Sequence, residues 1–297
     1  MLTVAALLAG LAIAGYYYPP ARLSAVVLAG RSPHCPYHQA IKAAGNLRRQ
    51  IELKDQILAA SRLLEKDAGY RLWQTPHGRY WIPEGSDYVL PFNLAEQARN
   101  IYGENGRGVR AGDVVLDCGA NVGVYTRVAL DAGAKLVVAI EPAPENVECL
   151  RRNFRQESAA GRVIVYPKGV WDKDDFLTLH VDPHNSAADS FLIQRAGSHG
   201  VSKVPLTTID KLAAELKLER VDFIKMDIEG AETKALHGGR ATIAAYHPRM
   251  AISVYHAPDH PESVPRAILE AWSGYRSECG PCAEANGGIR PDILYFF

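Results

Sequence analysis

The chain carries no excess of either charge: 33 Lys and Arg against 33 Asp and Glu in 297 residues give a formal net charge of zero. It has no Lys/Arg-rich block and no interleaving of basic with aromatic residues. A nucleic-acid partner is not expected, because neutralising phosphates needs a basic face. Cysteine is scarce and odd in number: Cys35, Cys118, Cys149, Cys279 and Cys282. Cys118 and Cys149 fall in an expected core strand and helix, so the pattern is no disulfide framework and fits a reducing compartment. Repeats and low-complexity tracts are also missing, and 47% hydrophobic with 22% charged residues describes a globular chain. The length suits one large α/β domain with an extension.

Charge is wholly lacking from Met1 to Ala21, and between Leu2 and Tyr18 Thr3 is the one plainly polar residue apart from the tyrosines. As a helix that run spans roughly 25 Å, the lower limit for crossing a bilayer. Residues 1–18 are therefore expected to be a membrane anchor, with Tyr16 to Tyr18 at the interface and Pro19-Pro20 ending the helix. Five Lys/Arg and no acid between Arg22 and Ile51 would keep the remainder in the cytoplasm. The alternatives are a signal peptide cleaved near Ala12-Ile13-Ala14, without the usual basic leader, or a helix packed on a cytoplasmic domain.

Most informative is the stretch from Asp113 to Gly123. Val114 to Leu116 reads as a buried parallel strand, Asp117 ends it, Gly119 and Gly123 bracket a turn, and helical spacing follows from Val124. In an α/β sheet this strand end receives a nucleotide-like ligand, and glycine is expected to let the backbone approach it. A dinucleotide turn would need a middle glycine, but Asn121 stands there, which favours an adenosine-type ligand without pyrophosphate. S-adenosylmethionine meets that description, and Asp117 would face its cationic part. Glu141 closes a second apolar strand, Leu136 to Ile140, where a carboxylate accepts both ribose hydroxyls.

The remaining chain alternates strands with helices, which predicts a mostly parallel sheet covered on both faces. Residues 1–21 form the expected anchor, 22–105 an extension of helices and a hairpin, and 106–297 the catalytic domain. The extension should hold a helix from Asn46 to Lys66, a hairpin across Thr75-Pro76-His77-Gly78, and a helix from Phe92 to Tyr102 over the cleft. Asp227 and Glu229 follow the fourth core strand, and His256 follows the fifth at the same sheet edge. Transfer of a methyl group to a hydroxyl needs alignment and a proton acceptor, and these three are the candidate catalytic residues. Glu232 reads as ordinary helix N-terminal chemistry.

These motifs together resemble the FkbM-type S-adenosylmethionine-dependent methyltransferases. The resemblance rests on Val115 to Gly123, Glu141-Pro142 with Asn146, Val204 to Asp210, and above all Val221 to Glu232 (VDFIKMDIEGAE), and it covers residues 110–255. It implies a Rossmann-like seven-stranded sheet whose last strand is antiparallel, and O-methylation of a small-molecule or glycan acceptor. The cofactor-binding residues would be Asp117, Gly119, Asn121, Gly123 and Glu141. Where the family often carries a serine-rich loop, this chain keeps only Ser190. A metal-independent reaction is expected, because no second well-placed aspartate follows the fifth strand, where His256 stands instead. His256-x-x-x-His260 and Cys279-x-x-Cys282 nevertheless have zinc-ligand spacings that could meet at the sheet edge. Rival readings are a nicotinamide-dependent oxidoreductase and a non-catalytic membrane-associated scaffold.

Overall fold

The computed structural model describes residues 10, 13, 15, 17–182 and 184–297. The expected anchor over residues 1–18 lies almost wholly outside that set, and among the described residues no helix is long and apolar enough to cross a membrane. Tyr17 is helical and Tyr18 is a bend, so the helical stretch breaks just before Pro19-Pro20, and the two prolines open a new helix, α1 (Pro19–Leu28), since proline's fixed φ and missing N–H suit the first helical turn.

Seven strands make the central sheet: β4 (Val114–Cys118), β5 (Leu136–Ile140), β6 (Val163–Tyr166), β10 (Phe223–Met226), β11 (Arg249–Ser253), β12 (Ser277–Cys279) and β15 (Ile293–Phe296). Their order is β12-β15-β11-β10-β4-β5-β6, and β15 runs antiparallel to both its neighbours. The other pairings are parallel, with Leu116 opposite Ile224 on one side and Val138 on the other. Side chains alternate between faces along each strand, so each buried run feeds two cores. Leu116, Val138, Ile224 and Ile252 pack against Leu212, Leu236, Ile243 and Ile268, while Val115, Val137, Phe223 and Ala251 pack against Tyr125, Leu130, Leu150 and Phe154.

The extension departs from its reading at both helices. Helix α2 stops at Ala59 (Ala43–Ala59), and Leu63 and Leu64 belong to strand β1 (Arg62–Asp67), the first of a three-stranded antiparallel sheet with β2 (Tyr70–Thr75) and β3 (Gly78–Pro83). The β1 residues are all exposed, so their leucines carried no periodicity that burial could enforce. Helix α3 (Val89–Ala98) begins and ends before the expected Phe92 to Tyr102. Ile57, Tyr80, Ile82 and Leu94 share a core with Val122 and Val124, which seats the extension on the cofactor turn.

Cysteine pairing is a second correction. Cys35 and Cys282 form a disulfide across 247 residues of sequence. Cys35 stands outside any core element, and nothing in its spacing pointed to a partner.

Helix α4 (Val124–Asp131) starts at Gly123, whose φ is +93°. A Cβ there would stand 2.1 Å from Phe154 Cε2. Gly123→Ala should therefore lower stability by roughly 1–3 kcal/mol, through left-handed strain and an overpacked core. A urea unfolding curve checks this, and an unchanged midpoint would remove the packing role.

Candidate functional site

Two adjoining cavities of about 520 Å³ and 50 Å³ open above the carboxyl ends of β4, β5 and β10. They share Gly119, Asn121, Asp227 and Glu229 in their walls. The larger also takes in Tyr255 and His256, roofed by Phe92 and Glu96 of α3; the smaller takes in Glu141 and Asp189.

Of the five expected cofactor residues, three line this space and two do not. Gly119 (φ +79°) is required because a Cβ would sit 1.9 Å from the Asp227 carbonyl oxygen. The glycine thus makes room for the neighbouring turn. Asn121, at φ +49°, donates its N–H to Glu141 Oε2 at 2.8 Å and its Nδ2 to the Ser186 carbonyl at 2.9 Å. Glu141 also accepts from the Ala143 N–H at 2.9 Å. Burial pushes its carboxyl up to about 7, against the pull of those two amides. Asp117 does not face the cavity. It is fully buried behind the turn, where it accepts from Thr126 Oγ1 at 2.7 Å and pairs with Lys225 Nζ at 3.3 Å. Gly123 is the other absentee, committed to Phe154.

The expected catalytic trio does come together. Beyond β10, Glu229 (φ +52°) and Gly230 (φ +103°) turn the chain back, and Glu232 fixes that turn by accepting the N–H groups of Ile228 at 3.0 Å and Gly230 at 3.1 Å. Glu232 is therefore more than a helix-end charge: its Oε1 also meets His256 Nδ1 at 2.8 Å. The opposite ring nitrogen, Nε2, is 3.4 Å from both Asp227 Oδ1 and Glu229 Oε1. Burial opposes charge on this ring, yet Glu229, Glu232 and Asp227 hold its pKa well above the ordinary value. Burial would raise Asp227, but His256, Lys225 and the Tyr102 hydroxyl (2.7 Å from Oδ2) keep it below the usual carboxylate range.

Several contributors were not among the expected site residues. Lys225 passes under the turn and donates to the Gly119 carbonyl at 2.8 Å. Arg195 donates to Glu229 Oε2 at 2.6 Å from the loop that precedes the strand His199–Thr207. Ser190 is buried and binds backbone, donating to the Glu229 carbonyl at 2.7 Å, which is a loop-shaping role. Asp189 keeps one buried oxygen without a partner beside the small cavity, and burial pushes its carboxyl up to about 9.

Asp227, Glu229 and His256 bring three ligand atoms within 4.8 Å of one another and could hold a cation. The pairing expected between His256/His260 and Cys279/Cys282 is not made. The histidines converge on Glu232, while the cysteines converge on Cys35.

A glycine turn and an acidic cluster at the carboxyl edge of such a sheet define a Rossmann-like α/β fold with a cofactor site. The chain belongs to the methyltransferase FkbM domain family, whose pattern it matches over residues 117–279, more than half its length. It is 26% identical over 164 residues to the 31-O-demethyl-FK506 methyltransferase FkbM of Streptomyces tacrolimicus, covering 46% of this chain and 63% of that protein. It is also similar to a methyltransferase FkbM from Methylobacillus flagellatus (19% identity, TM-score 0.46, 85% of this chain and 60% of that one). Another similar structure is Methanocaldococcus jannaschii Trm5 in complex with adenosine (14% identity, TM-score 0.42, 78% and 56%). This family assignment leaves neither the nicotinamide nor the scaffold reading in place.

Two substitutions check the electrostatics. Lys225→Met should cost about 3–5 kcal/mol, because Asp117 would be left as a buried unpaired charge, and Lys225→Met combined with Asp117→Asn should recover much of the loss. For Asp189 the folded value, about 9, lies above the unfolded one, 3.8, so between those pH values folding must take up a proton and stability falls as pH rises. Asp189→Asn should flatten that slope and raise Tm at pH 8; an identical pH profile in thermal scans would show that Asp189 is ionised in the native state.

Proposed function

We propose that the protein transfers a methyl group from S-adenosylmethionine to a hydroxyl of a sugar, glycolipid or secondary metabolite. The observation that carries this reading is that the cofactor turn and the Asp227/Glu229/His256 cluster open into one cavity of about 520 Å³. The relative named for 31-O-demethyl-FK506 supports oxygen as the accepting atom.

The residues fit the donor. Gly119 and Asn121 supply a wall of main chain, Glu141 retains free lone pairs beside the small cavity, and the unpaired oxygen of Asp189 beside the same cavity would be free to bond a nucleobase edge. When bound, S-adenosylmethionine supplies an electrophilic methyl on a cationic sulfur. Asp227 and Glu229 present negative charge toward that cation. The Asp227 carboxylate is a weak base, held ionised by His256 and Tyr102. A weak base is sufficient, because the hydroxyl proton becomes strongly acidic once its oxygen begins to bond to carbon. His256 orients both acids, with Nε2 3.4 Å from each. Tyr102 and Tyr255 confine the acceptor's approach from the side of β11.

Calorimetry should give S-adenosylmethionine binding that Gly119→Val abolishes and Glu141→Ala weakens by about 1–3 kcal/mol. Near-native affinity in both variants would overturn the cofactor assignment. With the acceptor found by incubating cell extracts with labelled methyl donor, Asp227→Asn should keep cofactor affinity within a few-fold while lowering turnover roughly 10²-fold or more. Unchanged turnover would make Asp227 structural; activity lost to a chelator and restored by magnesium would make it a cation ligand.

A further inference from the structure

Three sulfurs from opposite ends of the chain meet away from the cavity. Cys279-Gly280-Pro281-Cys282 forms the turn between β12 and β13 (Cys282–Ala285), anchored by the Gly280 N–H on the Ile293 carbonyl at 2.9 Å and the Asp292 N–H on the Pro281 carbonyl at 2.8 Å. Cys35 precedes the short helix Tyr37–Ala40, in a segment laid along β14 (Gly288–Pro291), where the Ile289 N–H donates to the Arg31 carbonyl at 2.9 Å. Asn46 Nδ2 of α2 adds a bond to the Cys282 carbonyl at 2.8 Å. The disulfide joins Cys35 to Cys282, and Cys279 Sγ stands 3.5 Å from Cys282 Sγ and 4.0 Å from Cys35 Sγ. A disulfide accounts for two of these sulfurs and leaves the third with no task.

We propose that in their thiol form Cys35, Cys279 and Cys282 bind a zinc ion that staples the N-terminal segment to the C-terminal hairpin. All three ligand atoms lie within 4.8 Å of one another. Around a tetrahedral zinc with Zn–S of about 2.3 Å, sulfurs are about 3.8 Å apart, and the two separations made by Cys279 bracket that value. Two donors three residues apart on a tight turn, with a third from a distant segment, is a structural-zinc arrangement, and a water would complete the four. Softness of the donors selects zinc over magnesium or calcium.

Binding displaces three thiol protons. Oxidation by a small-molecule disulfide reverses it: Cys35 and Cys282 give up two electrons and become bonded, Cys279 regains a proton, zinc leaves, and the oxidant departs as two thiols. Both states hold residue 35 against residue 282. What they hold reaches the cavity, because α2 carries Gln50, which donates to Glu96 at 3.0 Å and accepts from Arg99 at 2.7 Å in and beside the roof helix α3.

The test uses the full chain, reduced with a phosphine and offered zinc in excess, then desalted and measured for bound metal by atomic emission. About one zinc per chain is expected. Oxidised glutathione should release it to a chromogenic chelator while the count of free thiols falls from five to three. Cys279→Ser should bind at least tenfold less zinc yet still form the Cys35–Cys282 crosslink on a non-reducing gel. Reduced protein that is folded by circular dichroism but takes up no zinc would overturn the proposal, as would Cys279→Ser that retains the wild-type amount.

Discussion

Where β4 and β10 end side by side, two turns touch with no side chain between them, and the rest of the site depends on that contact. The Asp227 carbonyl occupies the volume that a Cβ on residue 119 would need. Lys225, one strand over, reaches the Gly119 carbonyl and the Asp117 carboxylate from beneath. One missing methyl group and one buried cation therefore fix the distance between the cofactor turn and the acidic cluster. In a close-packed interior neither turn can shift without the other, so the glycine turn and the acidic cluster keep a common frame.

Charge is arranged around the same contact. Asp117, Asp227, Glu229 and Glu232 are set against Lys225, His256 and Arg195. The four acids exceed the three cations by one, in a region where unpaired charge is expensive. A cationic ligand is the natural complement of such an imbalance, whereas an anionic cofactor would add to it. His256 is the pivot: it touches three of the four acids, lying 3.4 Å from Asp227 and Glu229 and 2.8 Å from Glu232.

The sheet was legible because burial on both faces writes itself into sequence as short apolar runs, and β4, β5, β10 and β11 all carry one. The edge residues Asp227, Glu229, Glu141 and His256 were legible too, because chemistry at a strand end has a fixed place in an α/β sheet. Less was visible where a residue's partner is remote. Asp117 looked like a ligand contact because its strand-end position is shared with residues that are, but the lysine that claims it lies 108 residues on. Gln50 and Tyr102 lie in expected helices and Arg195 in a polar loop, but none carries a motif, and all three act through distances that only the fold sets. Leu63 and Leu64 continued a helical rhythm by chance, in an exposed strand where nothing selects against it. Cysteine spacing carried the same ambiguity: Cys279-x-x-Cys282 was visible as a pair, but its third member came from the far end of the chain.

The two halves of the cavity consequently have different origins. Its floor and acidic wall come from residues 117–279, the segment shared with the family. Its roof comes from α3 and the Tyr88 to Tyr102 stretch, before that segment begins. The roof has little core of its own: Leu90 and Leu94 pack onto Val122 and Val124, while Gln50 of α2 braces Glu96 and Arg99 on its other side. A methyl transfer needs water kept from the donor while the acceptor enters, and floor and roof must both be present for that. The extension thus supplies the enclosure, and the staple at Cys35 and Cys282 restrains the helix that braces it, which couples the chain's two ends to the one cavity where its chemistry would occur.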